Sequence, residues 1–563
     1  MNATLDDIAR LIDDKLPEPE PQPVDCDDAA ALADAITKVM KTKSMTVFVK
    51  RRNISDLVIK VLLGHGFLCQ SDDGQFYYFD QSKHALYNLD DARFQRDLAN
   101  TSGLATVEAE FAFVIDRLKS LASIEPPRAM HVFGYFDKAT GALAVAFGGS
   151  DTYRYARGSR KWVHVFNGDG LLFLTTPDAT ACEPEFGTSG NLEWFIEKFL
   201  IVGRIVVSRE DQQALLLVWL YQQFFPAQTR MLLTLLGTQG SGKTTAARAV
   251  GRLLLGPLFQ VSHISKDHQD GMVASLTNGL MLCADNLDTR NEWLEDTLCT
   301  YSTGSQIERR ELYHTNRLVR FTPRAVLMIT SRDPHFKRPD VAERILPIHF
   351  DKPADTKYVA DNKIYEELQT RRPAILGELL TQIAEIADSM EGVEAPSLPF
   401  RMADFAEFGW HAFNSQGRAD EWESLLGRLE ESQIAFASED DVILQFLRVL
   451  LDNKGDEMSG LIGHVKEIET KGLIGPIDGS ALFEIYVRYC KEHSLPAIKS
   501  PQVFGQKLTS MKRMIVVRLN STVDDARGHA DKRVVTIRRN QEEIDRIANL
   551  ERATALTAAK KKS

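Results

Sequence analysis

Residues 231–255 limit the fold of this chain more than any other part of the sequence. In this segment an apolar run is followed by a glycine-rich turn and then by a run with the residue spacing of a helix. Met231–Leu236 predicts a buried strand, and Gly237–Thr244 after it matches the phosphate-loop pattern G-x-x-x-x-G-K-[ST] residue for residue. Glycines let successive backbone N–H groups face a polyphosphate, and the N-terminus of a helix adds partial positive charge. The strand, loop and helix therefore predict an α/β fold that binds a nucleoside triphosphate.

Each position of this loop has an expected part in that binding. Lys243 would reach the outer phosphates, and the Thr244 hydroxyl would hold Mg²⁺. The cofactors expected from the loop are therefore ATP and Mg²⁺. The residues expected to surround the phosphates are Gly237, Thr238, Gln239, Gly240, Ser241, Gly242, Lys243, Thr244 and Thr245.

Length, charge and cysteine content narrow the class of protein. At 563 residues the chain is long enough for several domains. A net charge of -11 argues against a protein that coats nucleic acid along its whole surface, although a local basic patch remains compatible with it. The six cysteines are scattered without C-x-x-C pairs, which favours a reducing cytoplasm and no structural metal. We expect neither a signal peptide nor a membrane span, because the first residues are acidic and every apolar run is short.

A second apolar run, Leu280–Ala284, ends at Asp285 and predicts a strand that brings a carboxylate to the metal beside Thr244. The next residue, Asn286, stands where ATPases of this kind usually carry a glutamate that polarises the attacking water. An amide can orient water, but it accepts a proton poorly at neutral pH. Three alternatives stay open: Asp288 supplies the base, the base comes from elsewhere, or hydrolysis is slow.

A third apolar run, Ala325–Ile329, is followed by the polar residues Thr330 and Ser331 at the end of a predicted strand. One of these hydroxyls would sense the γ-phosphate.

Two arginines, Arg338 and Arg344, follow this strand in the sequence. An arginine in this place could reach the nucleotide of a neighbouring subunit and neutralise charge on the transferred phosphoryl group. The spacing does not decide which of the two has this role, and we prefer Arg344. The alternative is that both arginines are solvated side chains at the start of a helix.

Three short motifs lie between Asp285 and the third strand: Glu295-Asp296, Ser302-Thr303-Gly304 and Arg309-Arg310-Glu311-Leu312-Tyr313-His314-Thr315-Asn316. Together with the phosphate loop and Asp285, they resemble the helicase ATPases of phages, prophages and large DNA viruses, which belong to superfamily 3 and the AAA+ class. The resemblance spans roughly residues 190–540 and is strongest from Met231 to Phe350. It implies a P-loop core of the ASCE or AAA+ type and a homo-oligomeric ring, expected to be a hexamer, with ATP bound between subunits.

The resemblance also implies a hairpin at Tyr313–Arg320 that projects into the central channel of the ring. His314, Arg317 and Arg320 would then contact the phosphates of single-stranded or forked DNA without reading its sequence. An ordinary basic turn between two strands is the alternative.

The C-terminal part of the chain predicts a winged-helix domain, with two helices followed by two strands. The helices are Gly479–His493 and Pro501–Met511, and the strands are Met514–Leu519 and Arg533–Arg538. Residues 499–563 contain fifteen Lys and Arg against seven Asp and Glu, so a basic end follows an acidic body. DNA binding is therefore expected here, although winged helices also dock proteins. The DNA contacts would be Lys507, Lys512 and Arg513, with Lys499, Gln502 and the wing residues Arg527, His529, Lys532 and Arg533 around them.

Residues 46–190 alternate short apolar or aromatic runs with Gly, Asp and Asn turns, which predicts a strand-rich α+β domain. Thr106–Ala122 is expected to be a helix, and Trp162–Thr175 a hairpin around Asn167–Gly170. The other strand candidates include Met45–Val49, Gln75–Phe79 and Leu143–Phe147.

Seven segments follow from these patterns. They are an N-terminal arm with a Pro-rich linker (1–45), the strand-rich domain (46–190), a helical collar (191–228), the ATPase core (229–352), a helical lid region (353–468), the winged helix (469–540) and a basic tail (541–563). In the lid region we expect helices at Ile364–Leu368, Pro373–Met390, Asp404–Gln416 and Val442–Leu451.

The leading functional hypothesis is a cytoplasmic ATP-dependent DNA helicase or translocase of phage or prophage replication, acting with other replication proteins. One alternative is a DNA-binding initiator or assembly scaffold that uses ATP without processive unwinding, which Asn286 favours. The other is a defence-associated ATPase with the same motor.

Overall fold

The computed structural model describes twelve stretches of the chain: 29–200, 208–264, 269–287, 292–310, 318–332, 338–350, 361–437, 441–452, 472–493, 495, 497–527 and 533–540. The chain divides into two compact units. Unit 1 comprises Met1–Phe133, Val145–Arg154 and Val163–Ala181; unit 2 comprises Gly134–Ala144, Tyr155–Trp162 and Cys182–Ser563.

Unit 1 begins with helices that pack on a small antiparallel sheet. The helices are α1 (Ala29–Lys41), α2 (Val47–His65), α3 (Ala92–Ser102) and α4 (Ala109–Ala122), and the sheet is β1 (Gly66–Gln70), β2 (Phe76–Asp80) and β3 (Ala85–Asn88). The predicted helix at 106–122 and strand at 75–79 are confirmed. The strand expected at 45–49 is wrong, because Thr46 accepts a hydrogen bond from Val49 N and so caps the start of α2.

The strands between residues 130 and 173 are short. They are β4 (Met130–His131), β5 (Gly134–Asp137), β6 (Ala142–Ala146), β7 (Asp151–Tyr155), β8 (Trp162–Phe166) and β9 (Leu172–Phe173). β8 belongs to the sheet β5-β6-β7-β8, whereas β9 pairs in parallel with β4, so the hairpin expected at 162–175 is wrong. The buried amide of Asn167 explains the difference. Its Nδ2 donates to the Phe173 carbonyl and its Oδ1 accepts from Phe173 N, each at 2.9 Å, so these backbone groups of β9 are not available to pair with β8.

Helices of the expected collar lead to the central sheet of unit 2. They are α5 (Asn191–Phe195), a π-helical turn (Ile196–Leu200) and α6 (Arg209–Gln222), which is capped by the Ser208 hydroxyl at Asp211 N. The sheet that follows has five parallel strands in the order β11-β12-β15-β10-β16. Its strands are β10 (Leu232–Gly237), β11 (Ser262–His263), β12 (Met281–Asp285), β15 (Val326–Ser331) and β16 (Ile345–Phe350).

The three strands expected from the apolar runs at 231–236, 280–284 and 325–329 are all confirmed and lie at the centre of this sheet. Their residues form nearly continuous buried runs, as parallel strands covered on both faces do. The helices connecting them are α7 (Lys243–Leu255), α8 (Gln269–Asn278), α9 (Glu292–Ser302) and α10 (Pro339–Ala342). Because the strands are parallel, their carboxyl ends meet at one edge of the sheet, where ligands bind in folds of this kind.

A separate antiparallel pair, β13 (Ile307–Arg310) and β14 (Leu318–Phe321), precedes β15. β14 overlaps the end of the hairpin expected at 313–320, whereas β13 precedes that segment. Arg310 pairs with Leu318, and the connecting residues 311–317 lie outside the described ranges together with His314 and Arg317.

A single 29-residue helix, α11 (Asp361–Ser389), replaces the two helices expected at 364–368 and 373–390. Pro373 removes one backbone donor from its interior, yet the helix continues because burial on both sides of the proline outweighs that loss. Arg372, which is fully buried, donates to the carbonyls of Leu253 and Leu254 at the end of α7. The helices α12 (Ala403–Asn414) and α14 (Val442–Asp452) agree with expectation, whereas α13 (Ala419–Ala437) was not predicted.

The C-terminal part packs three helices against a three-stranded antiparallel sheet of order β17-β19-β18. The strands are β17 (Leu473–Asp478), β18 (Ser521–Arg527) and β19 (Arg533–Arg539), and the helices are α15 (Gly479–Glu492), α16 (Pro501–Ser510) and α17 (Lys512–Leu519). The strand expected at 514–519 is wrong, since α17 covers it. Met511, Ile515 and Leu519 stand four residues apart and are buried, which is the spacing of one helix face.

None of the described helices is both long and apolar enough to cross a membrane.

Candidate nucleotide site

The loop between β10 and α7 adopts a conformation that only glycine tolerates at several positions. Gly237 has φ 143°, and a Cβ there would lie 2.1 Å from the Phe350 carbonyl oxygen of β16. Gly240 and Gly242 have φ of 79° and 94°, and Gly242 caps the start of α7. The glycines of the predicted phosphate loop are therefore required by its backbone.

Lys243 is the first residue of α7, and its side chain lies back along this loop. It is 8% exposed, and its Nζ donates to the carbonyls of Gly237 at 2.7 Å and Thr238 at 2.9 Å. Burial lowers the pKa of Lys243, and the nearby Arg332 charge lowers it further, while Asp285 opposes both effects. The ammonium group is thus held at the carboxyl edge of the sheet, beside a loop that an anion would bind.

Asp285, the last residue of β12, connects the first turn of α7 to the end of β15. Its Oδ1 accepts hydrogen bonds from Thr244 Oγ1 at 2.8 Å and from Thr330 Oγ1 at 2.7 Å. β15 lies between β10 and β12 in the sheet, and this order brings the three side chains together. The two residues predicted to hold a metal are therefore hydrogen-bonded to each other.

A carboxylate and a hydroxyl fit Mg²⁺ that is completed by phosphate oxygens and water, which is how this ion usually binds in nucleotide sites. They do not form an all-protein cage. Within the described ranges no three His, Cys, Asp or Glu residues are grouped closely enough to hold a metal by themselves.

Asn286 follows Asp285 in a left-handed backbone conformation, with φ 52°. Its N–H donates to Thr330 Oγ1 at 2.8 Å, and Leu287 N donates to the Thr330 carbonyl at 2.9 Å. Asparagine is among the few residues that accept this conformation readily, and its side chain is exposed. Asp288, the other candidate for the base, lies outside the described residues.

The two hydroxyls proposed as γ-phosphate sensors are enclosed. Thr330 is 1% and Ser331 2% exposed. Thr330 donates to Asp285, and Ser331 Oγ donates to the Leu287 carbonyl at 3.2 Å. Both hydroxyl hydrogens are therefore engaged within the protein.

The two candidate finger arginines differ in exposure. The side chain of Arg338 is 44% exposed and bonds both oxygens of Asp340, at 3.0 and 2.8 Å, as well as Asp296. Arg344 is 7% exposed, and its Nη1 donates to the Asp340 carbonyl at 3.0 Å and to Cys299 Sγ at 2.7 Å. Although burial raises the pKa of the Asp340 carboxyl, hydrogen bonding from Arg338 and Cys299 brings it below its usual value. Arg338 thus stands nearer to solvent than Arg344.

Three of the residues expected to contact DNA are described with their side chains. Arg320 on β14 is exposed and pairs with Glu308 at 2.9 Å. Lys507 on α16 pairs with Asp441 at 3.0 Å, and Lys512 is half-buried. The side chain of Arg513 is outside the described part.

Tyr365 makes two contacts with α7, the helix that follows the loop, and sequence patterns did not indicate them. Tyr365, at the start of α11, donates to the Thr245 carbonyl at 3.3 Å, and the Arg252 guanidinium lies 4.2 Å from its ring centre. No local signal could have paired these residues, because more than a hundred positions separate them along the chain.

Comparison with known proteins associates part of the chain with replication. A family model described as "Actinomycete integrative conjugative element replication protein" matches residues 199–418. This segment resembles a replication protein. It includes α6, the five-stranded sheet and α11. No curated protein matches the chain.

Solved structures give more distant likenesses. The A form apo structure of NrS-1 C terminal region-CTR has a TM-score of 0.39 and 12% sequence identity, covering 86% of this chain and 99% of that chain. A second apo structure of the same region has a TM-score of 0.39 and 13% identity, covering 86% and 98%. A ligand-bound structure of JCV Helicase has a TM-score of 0.23 and 14% identity, covering 44% and 63%.

Proposed function

We propose that this protein is an ATP-dependent DNA helicase or translocase of phage or prophage-type replication, built on a P-loop core at residues 229–352. The observation that carries the proposal is the hydrogen bond of 2.8 Å between Thr244 and Asp285, at the end of a glycine loop that requires its glycines. The match of residues 199–418 to replication proteins supports the cellular process.

In this proposal the chain's own groups bind and orient Mg-ATP. The backbone of Gly237–Thr244 surrounds the phosphates, and Lys243 exchanges its carbonyl partners for phosphate oxygens. Thr244 and Asp285 would hold the metal, which would supply positive charge to offset the charge of the phosphates. Thr330 keeps the Asp285 carboxylate oriented, and the exposed Asn286 amide positions the attacking water.

The proposed assembly is a ring, expected to be a hexamer, with each ATP between two subunits. An arginine from the neighbouring subunit would complete the site and neutralise charge on the transferred phosphoryl group. Partial exposure favours Arg338 for this role over the enclosed Arg344. Arg338 would then leave Asp296 and Asp340 when the interface closes.

DNA would be gripped at two places. The β13–β14 hairpin would carry His314, Arg317 and Arg320 into the channel of the ring. The helices and sheet within residues 473–539 would form a winged helix, and Lys507, Lys512 and Arg513 on α16 and α17 would contact the duplex.

The deciding experiment measures ATP hydrolysis and strand displacement on forked DNA for the full chain and for Lys243→Ala. We expect DNA-stimulated hydrolysis and unwinding by the wild type and a loss of at least about 100-fold in the variant. Arg209→Ala, an exposed change on α6, is the matched control and should leave both activities unchanged.

The initiator or scaffold function is the second candidate, and Asn286 is the observation that favours it, because an amide is a poor general base. The two functions predict different results for one preparation. ATP-dependent ring formation with DNA binding but without strand displacement would support the scaffold and contradict the helicase. A protein that stays monomeric at micromolar concentration with an ATP analogue would contradict both.

A further inference from the structure

We propose that Arg332 is the group at the end of β15 that contacts the terminal phosphate of the nucleotide bound to its own subunit. This inference rests on the proposed function, because it assigns a role within the same nucleotide site.

The first step is the exclusion of the two hydroxyls at this strand end. A residue that binds the γ-phosphate here needs a free donor directed to solvent. Thr330 and Ser331 are almost completely buried, and each donates its one hydroxyl hydrogen to a protein oxygen. Thr330 also accepts the Asn286 N–H, so it serves to position Asp285 and Asn286.

The second step is the place of Arg332 in the sheet. β15 and β10 run in parallel with Ser331 beside Leu236, so the next residue, Arg332, emerges level with Gly237, where the phosphate loop begins. Arg332 is exposed, and no hydrogen bond or ion pair involves it within the described stretches. It is thus a cation at the carboxyl edge of the sheet, where Lys243 and Asp285 also stand.

The third step is electrostatic. The Arg332 guanidinium and the Lys243 ammonium both stand at the carboxyl edge of the sheet, where Lys243 Nζ donates to the Gly237 carbonyl and Arg332 follows the strand position beside Leu236. Two cations that repel each other across a glycine loop are stabilised when an anion lies between them. A triphosphate supplies that anion, and its third phosphate extends farthest from the loop.

The chemistry of arginine suits this position. Its planar guanidinium can donate two parallel hydrogen bonds to phosphate oxygens and stays charged at any physiological pH. A contact with the γ-phosphate distinguishes ATP from ADP and follows the charge that develops during transfer. Arg332 would therefore contact the γ-phosphate, which is the role that we expected for Thr330 or Ser331.

The test compares binding of a non-hydrolysable ATP analogue and of ADP, each with Mg²⁺, to the full-length wild type, Arg332→Ala and Arg332→Gln. We expect both variants to lose about tenfold in affinity for the ATP analogue and to keep their affinity for ADP within about twofold. Lys243→Ala should weaken both nucleotides. Arg209→Ala should change neither, and thermal unfolding should show that all variants remain folded.

Mixing experiments establish which subunit supplies the group. Arg332→Ala has an intact Lys243, and Lys243→Ala has an intact Arg332. If Arg332 acts in its own subunit, mixing the two variants restores no ATP hydrolysis. Recovery of hydrolysis would overturn the same-subunit assignment.

The binding outcomes separate this inference from the function on which it rests. Wild-type binding of ATP with an unchanged ATP-to-ADP preference in both Arg332 variants would overturn the inference alone. An equal loss of both nucleotides would overturn it as well, because the contact would not be with the third phosphate. Failure of the wild type to bind either nucleotide would overturn the proposed function and the inference with it.

Discussion

The five-stranded sheet and the C-terminal three-stranded sheet carry their functional candidates in different ways. At the first, Asp285 at the end of β12 accepts hydrogen bonds from Thr244 on α7 and from Thr330 on β15, so the three groups share one network. At the second, Lys507 pairs with Asp441 on the surface, and Lys499 is exposed to solvent. At the five-stranded sheet the candidate residues Thr244 and Thr330 contact a single carboxylate, whereas in the C-terminal part the candidate charges are on separate side chains.

This difference determines how each region should respond to mutation. Removing one member of a buried hydrogen-bond network leaves its partners unpaired, which costs more than the bond itself. Exposed charges are screened by salt and act nearly independently. We therefore expect large, salt-insensitive effects in the five-stranded sheet and small, salt-sensitive effects in the C-terminal part.

The largest effect is expected for Asp285→Asn. The amide has the shape of the carboxylate and can still accept from Thr244 and Thr330, so folding should be preserved while the charge proposed to hold Mg²⁺ is lost. ATP hydrolysis should fall about 100-fold, and Mg²⁺ should no longer strengthen nucleotide binding in titration calorimetry. The control is Asp116→Asn, an exposed change on α4. Retention of the Mg²⁺ effect would show that Asp285 is not a metal ligand.

A smaller effect is expected for Thr330→Val, which keeps the shape of the side chain. It removes the donor to Asp285 and leaves the Asn286 N–H without its acceptor. We expect hydrolysis to fall about tenfold and the free energy of unfolding, measured with denaturant, to fall by about 1–3 kcal/mol. Thr37→Val removes a hydroxyl that bonds only a helix carbonyl at the surface, and it should change neither quantity appreciably. Equal effects of the two variants would contradict a shared network at the nucleotide site.

The smallest effect is expected at Lys507. Asp441→Asn removes the charge that pairs with this lysine but keeps an oxygen able to accept from Ile443 N, so the cap of α14 is retained. DNA affinity should rise about threefold in the variant, and Lys507→Ala should lower it about threefold and reduce the salt slope by about 1.

The double variant provides the control for this pair. With Lys507→Ala already present, Asp441→Asn should produce less gain, because its pairing partner is absent. An effect of Lys507→Ala that persists unchanged at high salt would contradict the distinction drawn between the two regions.

Sequence patterns predicted the central strands and the glycine loop of the candidate site, because each of these parts is contiguous in the chain. The loop at 237–244 and Asp285 each follow an apolar run, and parallel strands bring such ends together. What could not be predicted depends on partners distant in sequence. Thr330 was recognised as polar, but only its contacts with Asp285 and Asn286 reveal that its hydrogen is already used.

The incorrect secondary-structure predictions have a similar origin. Residues 514–519 are β-branched and apolar enough for a strand, yet the buried face formed by Ile515 and Leu519 makes them helical. At 162–175 the turn was recognised correctly, but the Asn167 side chain redirects the second strand to β4. In both places a tertiary contact outweighs local preference.

The continuous helix α11 has a mechanical consequence. Near its start Tyr365 bonds the residue after Thr244, and farther along Glu378 accepts the N–H groups of Asn191 and Leu192 at the start of α5. These two contacts lie 13 residues apart along the helix, which is about 20 Å, so tilting α11 by about 5° at Tyr365 would displace Glu378 by about 2 Å. A displacement of that size is enough to break the hydrogen bonds at the start of α5. The rigid helix therefore couples the candidate nucleotide site mechanically to the collar.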